Sequence, residues 1–313
     1  MPEQFCDVGR GITLCYETFG DPSDPTALLI MGLSMQMVGW PEDFCLELAG
    51  RGFHVVRFDN RDIGHSTHLQ GPTPTIPQLL LRSKHAASYT LADMAEDTAG
   101  LLSELELAPA HVIGVSMGGM IGQTLAARHP RKIRSLVSIM SNTGGFWNGR
   151  PALKIYPILL RNPPRGRDEF IARGESVFAA IGSPGLPRDP DDVRAIAAAS
   201  YDRDHDPAGS ERQLAAITAS GDRTPELRGI TVPTLVVHGT ADPLVAYSGG
   251  RATARAIPGA KLLSIAGMGH DMPRAIWPRL IDAIALHAGR ADARSERRPS
   301  QQAPPTPLSG LPG

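Results

Sequence analysis

The sequence predicts an α/β fold: a mostly parallel sheet flanked by helices, with a helical segment inserted late in the chain. Three observations carry this. Apolar strand-like runs alternate with helical patterns up to residue 141, and the alternation lapses over residues 142–222 and then resumes to Gly289. A glycine-flanked serine also falls where one strand pattern passes into a helix pattern.

Taken in order, the first strands form a hairpin turning at Gly9-Arg10-Gly11. "TALLIMGL" reads as a buried strand, "EDFCLELAGRG" as an amphipathic helix closed by glycine, and "FHVVRFDN" as the next strand. A long segment rich in Pro, Gly and Ser separates Asn60 from Thr90. In "TLADMAEDTAGLLSEL" apolar residues recur at helical spacing, with Thr90 as N-cap and Asp93 three residues on. "AHVIGVS" is a strand, "MGGMIGQTLAARH" a helix ended by Pro130, and "IRSLVSIMS" a further strand. After the interruption come "PTLVVHGTAD", a helix around Gly250 to Ile257, "AKLLSIAG" and the helix "PRAIWPRLIDAIALHAG". The expected organisation is a core of residues 1–141 and 223–289, a helical cap over 142–222, and a disordered tail over 290–313, which is poor in large apolar residues.

Composition narrows the function. With 313 residues, 42% hydrophobic content, a net charge of −1 and a pI of about 6.8, the chain has a real core but no basic footprint for nucleic acid or anionic lipid. No secretory signal or membrane-length apolar run is visible, so a cytoplasmic monomer or homodimer acting on a small molecule is expected. Cys6, Cys15 and Cys45 are too scattered for a disulfide framework or a zinc site and are expected as thiols. No metal or organic cofactor is expected.

The chemistry centres on Ser116, between Gly114 and Gly118. A strained strand-to-helix turn lifts such a hydroxyl clear of the sheet, and glycine is needed where neighbouring backbone comes close. A serine is a poor nucleophile without a base, and the base needs an acid to fix its tautomer. Both are sought beyond the C-terminal ends of later strands, where open α/β sheets place their sites. Asp242 follows one such strand and His270 the next. His238 lies inside a strand and reads as a core or hydrogen-bonded residue, while His111 and His129 read as surface or end residues. Asp271 is expected to point along the loop. The backbone N–H groups of Leu33 and Met117 are the expected oxyanion donors.

These residues resemble the serine α/β-hydrolases with an inserted cap. That family carries a His-Gly-x loop with a downstream Trp, an Asp-x-Arg-x-x-Gly-x-Ser loop, a Gly-x-Ser-x-Gly elbow, a late Gly-x-x-Asp and a late Gly-His. Here stand Met31-Gly32-Leu33 with Trp40, Asp59 to Ser66, Gly114 to Gly118, Gly239 to Asp242, and Gly269-His270. Two positions depart from the pattern, Met31 in place of histidine and Asp62 in place of glycine. The stretches "MGLSMQMVGWPEDF" and "HVVRFDNRDIGHST" look most like the aclacinomycin methylesterase branch, which cleaves a methyl ester from a polyketide. The resemblance implies an acyl-enzyme on Ser116, an apolar small-molecule ester substrate, and a substrate pocket drawing on Trp40, Phe146, Trp147 and Tyr156. Leu153, Ile155, Leu159, Leu160, Phe170 and Phe178 join the last three in lining either that pocket or the core of the cap. Thioester, lactone and C–C hydrolysis, cofactor-free perhydrolysis, and a slow or non-catalytic ligand receptor are alternatives on the same three residues.

Overall fold

The computed structural model describes residues 2–71, 73–75, 77–78, 87–159, 164–187 and 189–296. Alternating apolar runs become eight strands: β1 (Gln4–Asp7), β2 (Thr13–Phe19), β3 (Thr26–Ile30), β4 (His54–Phe58), β5 (Ala110–Val115), β6 (Ile133–Ile139), β7 (Thr234–Gly239) and β8 (Lys261–Ile265). They form one sheet in the order β1-β2-β4-β3-β5-β6-β7-β8, with β2 antiparallel to both neighbours and every pairing from β4 to β8 parallel. The β1–β2 turn uses Gly9, Arg10 and Gly11 at φ of 81°, 58° and 74°. Across this hairpin Cys6 faces Leu14 and Cys15 faces Phe5, so the two thiols lie on opposite faces, and all three cysteines are free.

Side chains alternate between two apolar layers, as a sheet covered on both faces requires. Leu28, Ile30, Val56, Phe58, Val112 and Leu136 pack with α2 (Leu91–Glu104) and α3 (Met117–Arg128). Ala27, Leu29, Val55, Ile113 and Val137 pack with α1 (Glu42–Ala49) and the final helix. The expected start of α2 is present: the N–H and Oγ1 of Thr90 both donate to Asp93 Oδ2, at 2.8 and 2.7 Å.

Between β6 and β7 run α4 (Tyr156–Leu159), α5 (Arg167–Ile181), α6 (Pro190–Arg203) and α7 (Pro207–Ser220), followed by the short α8 (Thr224–Leu227). Two Asp-Pro pairs start α6 and α7 in the same way. Proline takes the first helical position, and Asp189 and Asp206 accept from the N–H of Asp191 and Ala208, each at 2.9 Å. Helix α9 (Tyr247–Ala256) joins β7 to β8.

Two expectations are corrected here. Helix α10 runs from Trp277 to Glu296 rather than stopping at Gly289, because Ala291 is buried and Asp292 pairs with Arg134 at 3.1 Å; the rest of the expected tail, 297–313, lies outside the described residues. His111 is buried rather than superficial, edge-on to Phe53 and 3.4 Å from Asp292. Among the described residues no helix is long and apolar enough to cross a membrane.

The departure at Asp62 has a structural reason. Its φ is +66°, the conformation that makes glycine usual there and that Asp tolerates better than most residues. Its carboxylate, fully buried, accepts two bonds from Arg212 of α7, at 2.8 and 3.0 Å, and the Leu69 N–H at 2.7 Å. Removing one partner of a buried ion pair strands the other charge, so Arg212→Ala should lower the unfolding free energy in urea by about 3–5 kcal/mol; a loss below 1 kcal/mol would mean that the pair does not form.

Candidate active site

Ser116 stands between β5 and α3 at φ 54° and ψ −116°, outside the regions a serine ordinarily occupies. Contacts on both sides enforce this. A Cβ at Gly114 would lie 2.2 Å from the Gly118 carbonyl oxygen, and one at Gly118 would lie 2.1 Å from that of Ile30. Both glycines are therefore demanded by backbone, and the Ser116 N–H is tied to the Ile139 oxygen at 2.9 Å. Helix α3 starts at once with Met117, directing its first N–H groups and the positive end of its dipole to this turn.

The structure brings the three sequence-derived side chains together. His270 Nε2 is 3.1 Å from Ser116 Oγ, and its Nδ1 is 2.8 Å from Asp242 Oδ2. Asp242 Oδ1 accepts the N–H groups of Leu244 and Val245, at 2.9 and 2.8 Å. Burial opposes ionisation of Asp242, yet the charge of His270 and bonds from His238, His270 and Val245 hold its pKa down at about 2. His238 is a core residue as expected, its Nε2 on the Val245 carbonyl at 2.7 Å and 3.5 Å from Asp242 Oδ2. A bond from Nδ1–H to Asp242 leaves Nε2 of His270 as the acceptor that faces the serine.

The loop after β3 lies beside the hydroxyl. A Cβ at Gly32 would come within 3.2 Å of Ser116 Cβ and 3.8 Å of its Oγ. Leu33, the next residue, is half-buried, and Met117 is buried. Beyond Leu33 the loop is held by residues that the sequence reading does not single out. The Ser34 N–H donates to Gln213 Oε1 of α7 at 3.1 Å, Gln213 Nε2 donates to the Arg61 carbonyl at 2.8 Å, and the Met35 N–H returns to Gly32 at 3.3 Å. Asp59 accepts the Met37 N–H at 2.7 Å, the His65 N–H at 3.1 Å and Arg203 of α6 at 2.8 Å. Gly64 makes room for that carboxylate, since a Cβ there would meet Asp59 Oδ2 at 2.2 Å. The Asp-x-Arg-x-x-Gly-x-Ser segment is thus a brace for the loops rather than a reacting group.

The remaining pocket candidates are dispersed. Trp40 is fully buried, tilted against Phe44 at 5.3 Å within the core, and offers no surface to a substrate, which corrects its assignment. Phe146 and Trp147 are exposed and pack edge to face at 5.0 Å. Tyr156 and Leu153 are also exposed, whereas Ile155 is buried. Phe170 packs on Tyr201 and His205, joining α5 to α6, and Phe178 is half-buried. Leu160 and the side chain of Leu159 lie outside the described residues. Asp271, expected to point along the loop, instead reaches out of it and accepts a hydrogen bond from Ser183 Oγ.

One group among the described residues could present three ligand atoms to a metal: Glu3, Cys15 and His65. Its chemistry argues against that use. Arg203 lies within the group, 2.7 Å from Glu3 and 3.9 Å from the Cys15 sulfur. Burial, with Asp59 and Glu3 alongside, pushes the Cys15 thiol far up, away from the thiolate that a metal requires.

A family model described as the alpha/beta hydrolase fold matches residues 25–273. The chain belongs to this family. It is 28% identical over 301 residues to the rhodomycin D methylesterase DauP of Streptomyces sp. strain C5, covering 90% of this chain and 96% of that protein. DnrP of Streptomyces peucetius, a rhodomycin D methylesterase, is 27% identical over the same shares. Among solved structures, a hydrolase from Pseudomonas aeruginosa PA01 superposes with a TM-score of 0.67 at 25% identity, covering 91% of this chain and 97% of that one. The enol-lactonase from Burkholderia xenovorans LB400 gives 0.67 at 23% identity over 93% and 100%, a likeness of fold.

The depressed carboxyl of Asp242 makes a pH prediction. Its contribution to stability is complete above the ordinary carboxylate pKa and is lost as pH falls through about 2. The gap in unfolding free energy between the parent and Asp242→Asn should therefore narrow, on the order of 2 kcal/mol, as pH falls from 5 to 2; a gap that stays constant would show that the pairing does not exist.

Proposed function

We propose that the protein is a serine hydrolase of carboxylic esters, with a methyl ester of an apolar small molecule as substrate. The observation that carries this reading is the position of His270, within hydrogen-bond reach of Ser116 on one side and Asp242 on the other. His270 takes the hydroxyl proton as Ser116 Oγ bonds to the ester carbonyl carbon. The tetrahedral oxyanion is held by the N–H groups of Leu33 and Met117, each worth about 10²–10³ in rate by analogy with other serine hydrolases. His270 then gives its proton to the departing alkoxide, leaving an acyl-enzyme. Water repeats the sequence, its proton passing to His270 and back to Ser116, to release the acid.

The methyl ester is supported by the likeness to the two rhodomycin D methylesterases, which extends over 90% of the chain. Residues 142–222 serve as the cap over this site, a role supported by the bonds that α6 and α7 make to the loops carrying Ser34, Gln36 and Asp59. Epoxide and haloalkane hydrolysis on this fold need a carboxylate nucleophile, where this chain has Ser116.

The purified protein should release p-nitrophenol from short acyl esters and methanol from aromatic methyl esters. Ser116→Ala should abolish both, by about 10⁴-fold or more. Turnover that survives in the variant, or is absent from the parent on every ester, would overturn the assignment.

A further inference from the structure

We propose that Ser183 is a positioning residue for His270, so that the inserted helices hold the base of the reaction in register with the nucleophile. The proposal rests on the reading of His270 as general base.

His270 lies five residues beyond the end of β8, in a loop that turns at Gly267 (φ 73°). The sheet edge holds the first half of this loop, through the Ala241 N–H on the Met268 oxygen at 3.0 Å. The half that contains the base is held from elsewhere. Its three consecutive residues, 269 to 271, are all bonded to the end of α5 or to Ser183, two residues beyond it. The Gly269 N–H donates to Ser183 Oγ at 2.9 Å, the His270 N–H donates to the Ile181 oxygen at 2.7 Å, and Ser183 Oγ donates to Asp271 Oδ1. Ile181, Ser183 and Asp271 are all buried.

The approach is close enough to dictate residue type. A Cβ at Gly269 would lie 2.4 Å from the Gly182 carbonyl group, so glycine before the histidine is demanded by α5 rather than by the sheet. Ser183 meets a demand that alanine cannot, since a hydroxyl both accepts from one neighbour of His270 and donates to the other. Ser183 reaches none of the reacting atoms. Its effect is exerted through the backbone on either side of His270, which sets where the ring stands between Asp242 and Ser116. Displacing a reacting group by about 1 Å costs on the order of 10²-fold in rate.

The test compares Ser183→Ala, Ser183→Thr and the parent on a p-nitrophenyl ester, with circular dichroism to fix the folded fraction. A proton NMR spectrum to observe the Nδ1–H of His270 in its bond to Asp242 completes it. The proposal expects kcat of Ser183→Ala to fall about 10- to 100-fold with KM within about twofold. It also expects the threonine variant to recover most of the rate, and the Nδ1–H resonance to shift or broaden in the alanine variant alone. It is overturned if Ser183→Ala keeps kcat within twofold, if its loss only tracks the unfolded fraction without rescue by threonine, or if the resonance does not change. The resonance needs no turnover, so failure of the esterase assignment, seen in Ser116→Ala, is distinguishable from failure of this one.

Discussion

The backbone of Ser116 is the constraint on which the rest of the site depends. A positive φ at a non-glycine residue is unfavourable, and it persists here because β5, α3 and the end of β3 leave the chain no other path. Gly114 touches Gly118, Gly118 touches Ile30, and Gly32 touches Ser116 itself. The two neighbouring parallel strands and one helix are thereby locked to a single geometry. Its product is a hydroxyl raised off the sheet edge, with helix N–H groups beneath it and His270 alongside.

From that point outward, the site is assembled from loops that would have little to fix them individually. Polar side chains from the inserted helices supply what is missing. Arg203 and Arg212 neutralise Asp59 and Asp62, Gln213 spans the loops after β3 and β4, and the end of α5 meets the loop of His270. Arg212 and Gln213 are buried, Arg203 is half-buried, and all three are hydrogen-bonded, the condition under which a polar group fixes a geometry instead of merely destabilising an interior. The segment that interrupts the sheet in sequence is in this respect continuous in space with the sheet edge that carries Ser116.

Much of this was legible in the sequence, for reasons that differ by element. The strands, the capping box at Thr90 and the Ser116, Asp242 and His270 positions are local patterns, each readable from a few adjacent residues and their place after a strand. Asp62 was legible as a departure, but its partner Arg212 is 150 positions away, and no local pattern names it. Gln213 and Ser183 are ordinary helix and helix-end residues until the loops that they hold are known. Trp40 misled in the opposite way: an aromatic residue near a reactive loop serves a core as readily as a pocket, and only its contacts with Phe44 decide. The end of α10 was misplaced because the anchors of its last turns, Ala291 and Asp292, are set by what they pack against rather than by composition.

Ser116 is proposed as an activated nucleophile rather than a small residue in a tight turn. Treatment with a fluorophosphonate, followed by mass spectrometry of the intact protein and its peptides, tests it without any assumption about substrate. One equivalent of adduct should form on the peptide containing Ser116, quickly in the parent and at least about 10³-fold more slowly in His270→Ala. Labelling elsewhere, or on Ser116 at the same rate with and without His270, would contradict the account.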